Sequence, residues 1–285
     1  MKKVVTPLLL MLAIMVGCTH QGAPSQEAVG VVFDSAVVNT VVRLRADAEM
    51  PSGQLSLHIA YAKPQADDTA SVAAAWRINR TLLSSDLLMS DYTTGLRPAL
   101  TKGHTPKTYV EKALALTASN YRRMYLADYA ALFKEDPSDA PAYNRAYTVT
   151  THVMQGTDSI VNYVADTYYY DGGAHGQAAT WARNFNKHTG ATVTLADILR
   201  PGYGAPLTRM IVADLVRQFK ANTLQQLQDD FTVFMGMTPY IPDNYIIDSK
   251  GITFIYCQDE VAAHAVGELR VTLNYKQMTA LLRKK

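Results

Sequence analysis

The residues best suited to chemistry lie in one short stretch, Asp171-Gly172-Gly173-Ala174-His175-Gly176. A histidine on a glycine-rich turn is a possible general acid or base, and the carboxylate heading the stretch could orient its imidazole. No G-x-S-x-G elbow accompanies it to supply a nucleophile. The same residues also have a purely structural use: the glycines supply positive φ for a turn, and His175 fixes a hairpin by bonding to backbone. His175 and Asp171 therefore stand as weak catalytic candidates, and no residue is assigned as catalytic. A metal could draw on His175, His188, His264 and Glu260. None of these pairs has ligand spacing within one helix, and neither an H-E-x-x-H motif nor a cysteine pair occurs, so no metal is expected. Gly-rich phosphate loops and dinucleotide fingerprints are missing from the sequence, so no cofactor is expected either. Cys257 ends the apolar run Ile252–Cys257 and reads as a buried, inert thiol.

Recognition is the other chemistry open to this chain. It has 17 tyrosines against 7 phenylalanines and 2 tryptophans. Tyrosine joins a broad apolar ring to a polar tip, which suits both sheet cores and surfaces that hold proteins or glycans. Tyr163, Tyr168, Tyr169, Tyr170 and Trp181 fall on neighbouring expected strands, and alternation must send some to each face. His58 and His152 fall on strands as surface or satisfied core residues, and Arg122 and Arg123 read as a solvated helix face.

Charge narrows the partners. There are 27 Lys plus Arg against 25 Asp plus Glu. Discounting Lys2 and Lys3 leaves 25 of each sign, so the surplus of cations that phosphate backbones require is lacking and no nucleic-acid partner is expected. Met1–Lys3 is a short positive region, and Val4–Val16 is an apolar run too short to span a bilayer, where about 20 residues are needed. Met15-Val16-Gly17-Cys18 resembles a bacterial lipobox, with Met15 in place of the usual leucine. The expectation is a signal peptide at 1–17, removed before a lipidated Cys18, and a polar tether to residue 30. Acyl chains on Cys18 would hold the protein to a lipid membrane. Thr19, which is not aspartate, fits sorting to the outer membrane, facing the periplasm of a Gram-negative cell.

The elements that must position these residues follow from periodicity. Gly30–Ala46 reads as a strand or bent strand pair, and Leu55, Leu57, Ile59 and Tyr61 alternate as a half-buried strand. Asp67, Asp68 and Thr69 are possible caps for a helix with Val72, Ala75, Ile78 and Leu82 on one face. Gly95–Pro106 breaks the pattern. A longer helix follows, lined by Val110, Leu114, Ala118, Tyr121, Tyr125 and Leu132. From Tyr147 the period becomes two, with a second strand at Ile160–Tyr170. Gln177–Asn186 and Ala191–Leu195 are expected to flank a hairpin loop at 187–190. One helix is expected over Pro206–Leu227, then a hairpin around 249–251, a last strand at 268–273 and a closing helix at Lys276–Leu282. Helices in blocks between strand meanders predict an α+β fold with antiparallel sheets and packed helices, in two intertwined or sequential subdomains at 31–142 and 143–285.

The stretch Tyr168–Gly176, followed by Asn184-Phe185-Asn186-Lys187-His188-Thr189-Gly190 and Leu195-Ala196-Asp197-Ile198-Leu199, resembles a domain-of-unknown-function family of the cell envelope. That family is shared by the extracellular region of RsiV-type anti-sigma factors, the N-terminal region of PdaC-type peptidoglycan deacetylases and many Bacteroidetes lipoproteins. The resemblance runs on through Gly251–Tyr256 and Glu260, Ala262 and Gly267, and Ile78-Asn79 looks like part of the accompanying first domain. It implies an α+β fold and binding of a lysozyme-type muramidase or of peptidoglycan, without established catalysis. Family members usually carry Tyr and a Pro-Tyr pair around the last turn, where this chain has Asp259 and Ala263-His264. The binding candidates are therefore Asp171, Gly172, Gly173, His175, Tyr169, Trp181, Glu260 and His264. Two other readings stay open: a peptidoglycan-active hydrolase or deacetylase-like enzyme using His175 and Asp171, and a structural subunit of an envelope complex.

Overall fold

The computed structural model describes residues 30–46, 51–85, 88 and 103–284. The leader, Cys18 and all of the tether but Gly30 lie outside the described residues, as does most of the break at 95–106. The fold is α+β, as the pattern predicts. Strand β1 (Val31–Arg43) pairs antiparallel along its whole length with β2 (Ser52–Pro64). Helices α1 (Thr69–Leu82) and α2 (Pro106–Glu135) follow, then a 3-10 segment at Pro137–Tyr143. Strands β3 (Arg145–Gln155), β4 (Ile160–Tyr170) and β5 (Gln177–Asn186) complete a five-stranded sheet of order β1-β2-β3-β4-β5.

This sheet is mixed, a departure from the expected antiparallel arrangement. β2 runs parallel to β3, from Gly53 opposite Arg145 to His58 opposite Thr150. Parallel neighbours need a long crossover, and the two helices between β2 and β3 supply it. The division expected at 142/143 thus falls inside one sheet, whose strands come from both sides of it. Both helices start where side chains can take up orphan amides. Asp68 accepts from the amides of Ala70 and Ser71 at 2.9 Å each, which holds its carboxyl below the usual carboxylate range. Thr105 and Thr108 cap each other's amides ahead of α2, and Pro106 begins that helix.

The core of the first unit is rich in tyrosine, and the hydroxyls of Tyr121, Tyr147 and Tyr163 each find a backbone partner. Tyr163 donates to the Ala60 carbonyl at 2.8 Å, Tyr121 to Gln54 at 3.1 Å, and Tyr147 to Leu88 at 3.0 Å. Much of the tyrosine excess is therefore core, with the polar tip satisfied where the ring is buried. On α2, Phe133 turns inward and the expected Leu132 is exposed.

The second unit follows the 187–190 loop. It holds α3 (Leu195–Ile198), α4 (Gly204–Gln218), α5 (Leu224–Phe231) and an antiparallel sheet of β6 (Tyr245–Ile247), β7 (Gly251–Tyr256) and β8 (Leu269–Asn274). Three expectations are corrected here. The helix predicted over 206–227 is two helices: Lys220 takes φ +55°, and Thr223 caps α5 by accepting from Gln226 at 3.1 Å. Ala191–Leu195 is no strand beyond a single bridge from Thr192 to Phe185, because Thr194 and Asp197 cap α3 there. Residues 276–281 form successive turns and not a helix, and Leu282 bridges Leu199, although Met278 and Leu281 still face inward. Gly190 closes the β5 loop at φ +68°, where a Cβ would lie 2.3 Å from the Ala74 carbonyl oxygen, so only glycine fits.

Candidate functional site

The two units meet along β4 and β5, and the contact is unusually polar. Among the described residues, Val164, Ala182, Ile246 and Ile255 form a small buried apolar cluster between the sheets. Around them, side-chain amides act as an extra strand. Asn162 and Asn184 face each other across β4 and β5. Asn162 donates to the Ile247 carbonyl and Asn184 to the Tyr245 carbonyl, both at 2.9 Å, while the Ile247 amide donates to both side chains at 3.2 Å. Asn244 does the same for the edge of β5, donating to Thr180 at 2.6 Å and accepting from the Ala182 amide at 2.8 Å. Asn79 on α1 is a third instance, bonding both backbone groups of Ala62 at 2.8 Å. An amide reproduces a peptide group, so it can satisfy the backbone where no strand pairs.

Beside this junction, between β5 and the segments around 240–244 and 257–260, lies an open cleft of about 920 Å³. Tyr169, Trp181, Arg183, Tyr240, Asp243 and Glu260 are among the residues lining it. Trp181 is 39% exposed. Trp181 and Arg183 share one face of β5 by alternation. Glu260 accepts from the Tyr240 hydroxyl and from the Cys257 amide, both at 2.7 Å. Burial and that carboxylate push the Tyr240 phenol up. The Cys257 thiol is buried against Thr180 and Asn244, and burial pushes it up to about 12. A smaller cavity of about 240 Å³ adjoins the cleft and shares Ala182, Arg183 and Asp243 with it.

The structure divides the residues singled out in the sequence into two groups. Tyr169, Trp181 and Glu260 line the cleft. His175 stacks on His264, ring centroids 4.1 Å apart. His264 lies within 2.9 Å of Asp259 and 3.2 Å of Gln258, both of which line the cleft. Asp171, Gly172 and Gly173 belong elsewhere. Asp171 makes an ion pair with Arg145, which is itself held by the Ala142 and Asn144 carbonyls and lies 4.3 Å over the Tyr129 ring. The expected pairing of Asp171 with His175 is therefore corrected. A largely buried arginine is the stronger partner for a carboxylate, and it draws Asp171 toward α2. Gly172 and Gly173 take φ of +75° and +93°, and a Cβ on Gly172 would lie 2.8 Å from the Arg145 guanidinium. These two glycines make the turn and leave room for Arg145.

Sequence reasoning missed Arg145, Arg183, Asn162, Asn184 and Asn244. A signal for the asparagines was present: Asn162 interrupts the apolar run Ile160–Ala165, and a polar amide in a buried strand must find partners. Among the described residues, no group of three or more His, Cys, Asp or Glu side chains could hold a metal ion. Nor is any described helix long and apolar enough to cross a membrane.

Comparisons with known proteins locate the chain by fold. A DUF3298 family protein from Bacteroides fragilis is similar over 90% of this chain and 95% of its own, with a TM-score of 0.74 and 22% identity. A DUF3298 family protein from Pseudomonas aeruginosa is similar over 90% of this chain and 96% of its own, with a TM-score of 0.57 and 13% identity. No curated protein matches the chain. Residues 196–276 match DUF3298, described as a protein of unknown function. In this chain the second unit, from α3 to the end of β8, thus carries a domain of the DUF3298 family.

Proposed function

We propose that this is a non-enzymatic cell-envelope protein, lipid-anchored through Cys18 in the outer membrane, that binds peptidoglycan fragments in the cleft beside β5. The cleft carries this reading. It sets exposed aromatic faces, Trp181 and Tyr240, among hydrogen-bonding side chains, the combination that holds sugars and amides. Several of the groups that an enzyme would use are already engaged in holding the fold. Asp171 serves Arg145, Glu260 serves Tyr240 and the Cys257 amide, and the Cys257 thiol is held protonated. The test is titration of the protein with purified peptidoglycan fragments, following Trp fluorescence and product release together. Saturable quenching without product is the expected result, with binding followed by calorimetry lost in Trp181→Ala. Product release would make the protein an enzyme, and absence of saturable binding would overturn the reading.

A lysozyme-type protein partner is the second reading, and one observation favours it. Met235, Met237 and Tyr240 are exposed by 62%, 41% and 39% on one rim of the second unit. Methionine-rich rims suit protein contacts because the thioether chain adapts its shape. Binding to immobilised lysozyme that is lost in Met235→Asp but kept in Trp181→Ala would favour this partner over the glycan.

A further inference from the structure

The charges lining the cleft and its neighbouring cavity are not equally engaged. Asp259 lies 2.9 Å from the His264 ring, and Glu260 holds the Tyr240 hydroxyl and the Cys257 amide. Arg183 and Asp243 are different. Both line both cavities, so they stand where the two join. Among the described residues, neither is in an ion pair, with the other or with any third group. Arg183 is only partly exposed. A partly buried guanidinium without a carboxylate is a strong site for one, because its fork of N–H donors matches two oxygens at once. Asp243, exposed beside it, is an acceptor without a cation.

We propose that this junction recognises an amino-acid zwitterion, with the ligand's carboxylate on Arg183 and its ammonium group on Asp243. The proposal rests on the peptidoglycan reading above and deepens it: the peptide part of a wall fragment, and not its sugar, supplies the anchor. Trp181 stands one residue pair from Arg183 on the same face of β5, so the uncharged remainder of the ligand lies along the indole while the charged end sits at the junction.

The experiment is calorimetric titration of the full chain with four probes. They are a peptide-free N-acetylglucosamine–N-acetylmuramic acid disaccharide, the same disaccharide with a peptide ending in a free diamino-acid centre, that fragment acetylated on the amine, and that fragment amidated on the carboxylate. A charged hydrogen bond is strong enough to separate free from capped probes by about ten-fold or more, and that is the expected result. Arg183→Gln should abolish the difference made by amidation, and Asp243→Asn the difference made by acetylation. Equal binding of free and capped fragments by the wild-type protein would overturn the proposal while leaving the cleft reading intact. Failure of all four probes would overturn both. The capped probes need no variant, so a substitution that unfolds the protein does not blunt the test.

Discussion

The β4–β5 hairpin meets the second unit along its length, and the two ends of that contact are built on opposite principles. At the base of the hairpin, Asn162 and Asn184 are buried and bond backbone groups of β6. Toward its tip, the exposed His175 lies on the partly exposed His264. The base has no water to substitute for a lost partner, whereas the tip has solvent at hand. The lesson is that side-chain chemistry alone does not rank residues. Two asparagines with no catalytic promise set how the units are joined, while the more eye-catching histidine makes a contact that water can replace.

The largest effect expected from breaking this contrast comes at the base. Asn184→Ala leaves the Tyr245 carbonyl without its donor and removes one acceptor from the Ile247 amide. A buried polar group left unsatisfied costs about 1–3 kcal/mol, to be read from the midpoint of urea unfolding. Asn162→Ala should cost a similar amount. A loss under about 0.5 kcal/mol in both would mean that the units are held by apolar contact instead.

Raising the pH tests the same region without a mutation. The Cys257 thiol, beside Asn244 at the β5 edge, is pushed up to about 12 by burial. A thiol whose folded pKa is raised contributes stability that is complete below its unfolded value and is lost as the pH climbs through the folded one. Stability should therefore fall progressively from the ordinary thiol range toward about pH 12, and Cys257→Ser should flatten part of that fall. Tyr61 and Tyr125, both pushed up to about 12 by burial, add to the loss at the upper end.

Smaller effects belong to the tip. Asp171→Asn removes the carboxylate from Arg145, which keeps its carbonyl partners. A partly exposed pair of this kind is worth about 1 kcal/mol or less, and ligand binding in the cleft should be unchanged. A large loss of binding would return Asp171 to the site. His175→Ala should be smallest, within about 0.5 kcal/mol of the wild type, as for an exposed substitution. A greater loss would make the imidazole stack a true joint and erase the contrast.

Much of the architecture was legible because it rests on local pattern. Ile160–Tyr170 and Gln177–Asn186 emerge as the strands expected from alternation, and α1 and α2 follow their apolar faces and caps. The misreadings fall where a local stop signal competed with a persistent apolar pattern. Thr223 ends a helix reading that Leu224 and Leu227 extended, and the turns at 276–281 bury Met278 and Leu281 without forming a regular helix. Tyr169 and Trp181 could be named as candidates because the aromatics cluster on neighbouring strands, and Glu260 because it lies in the stretch that carries the resemblance, but only the tertiary structure sets the three along one cleft. Arg183 could not be named, since a single arginine on a strand carries no signal until its neighbours are known.

By itself the sequence determined the α+β class and the order of the main strands and helices through β5, because each depends on periodicity and side-chain polarity within a short window. Tertiary structure alone decided that β2 lies parallel to β3, that Asp171 turns to Arg145 and not His175, and that Arg183 and Asp243 share the wall between two cavities. Each of these joins residues from separate elements. Their meeting depends on how the strands cross and pack, which no local pattern of residues encodes.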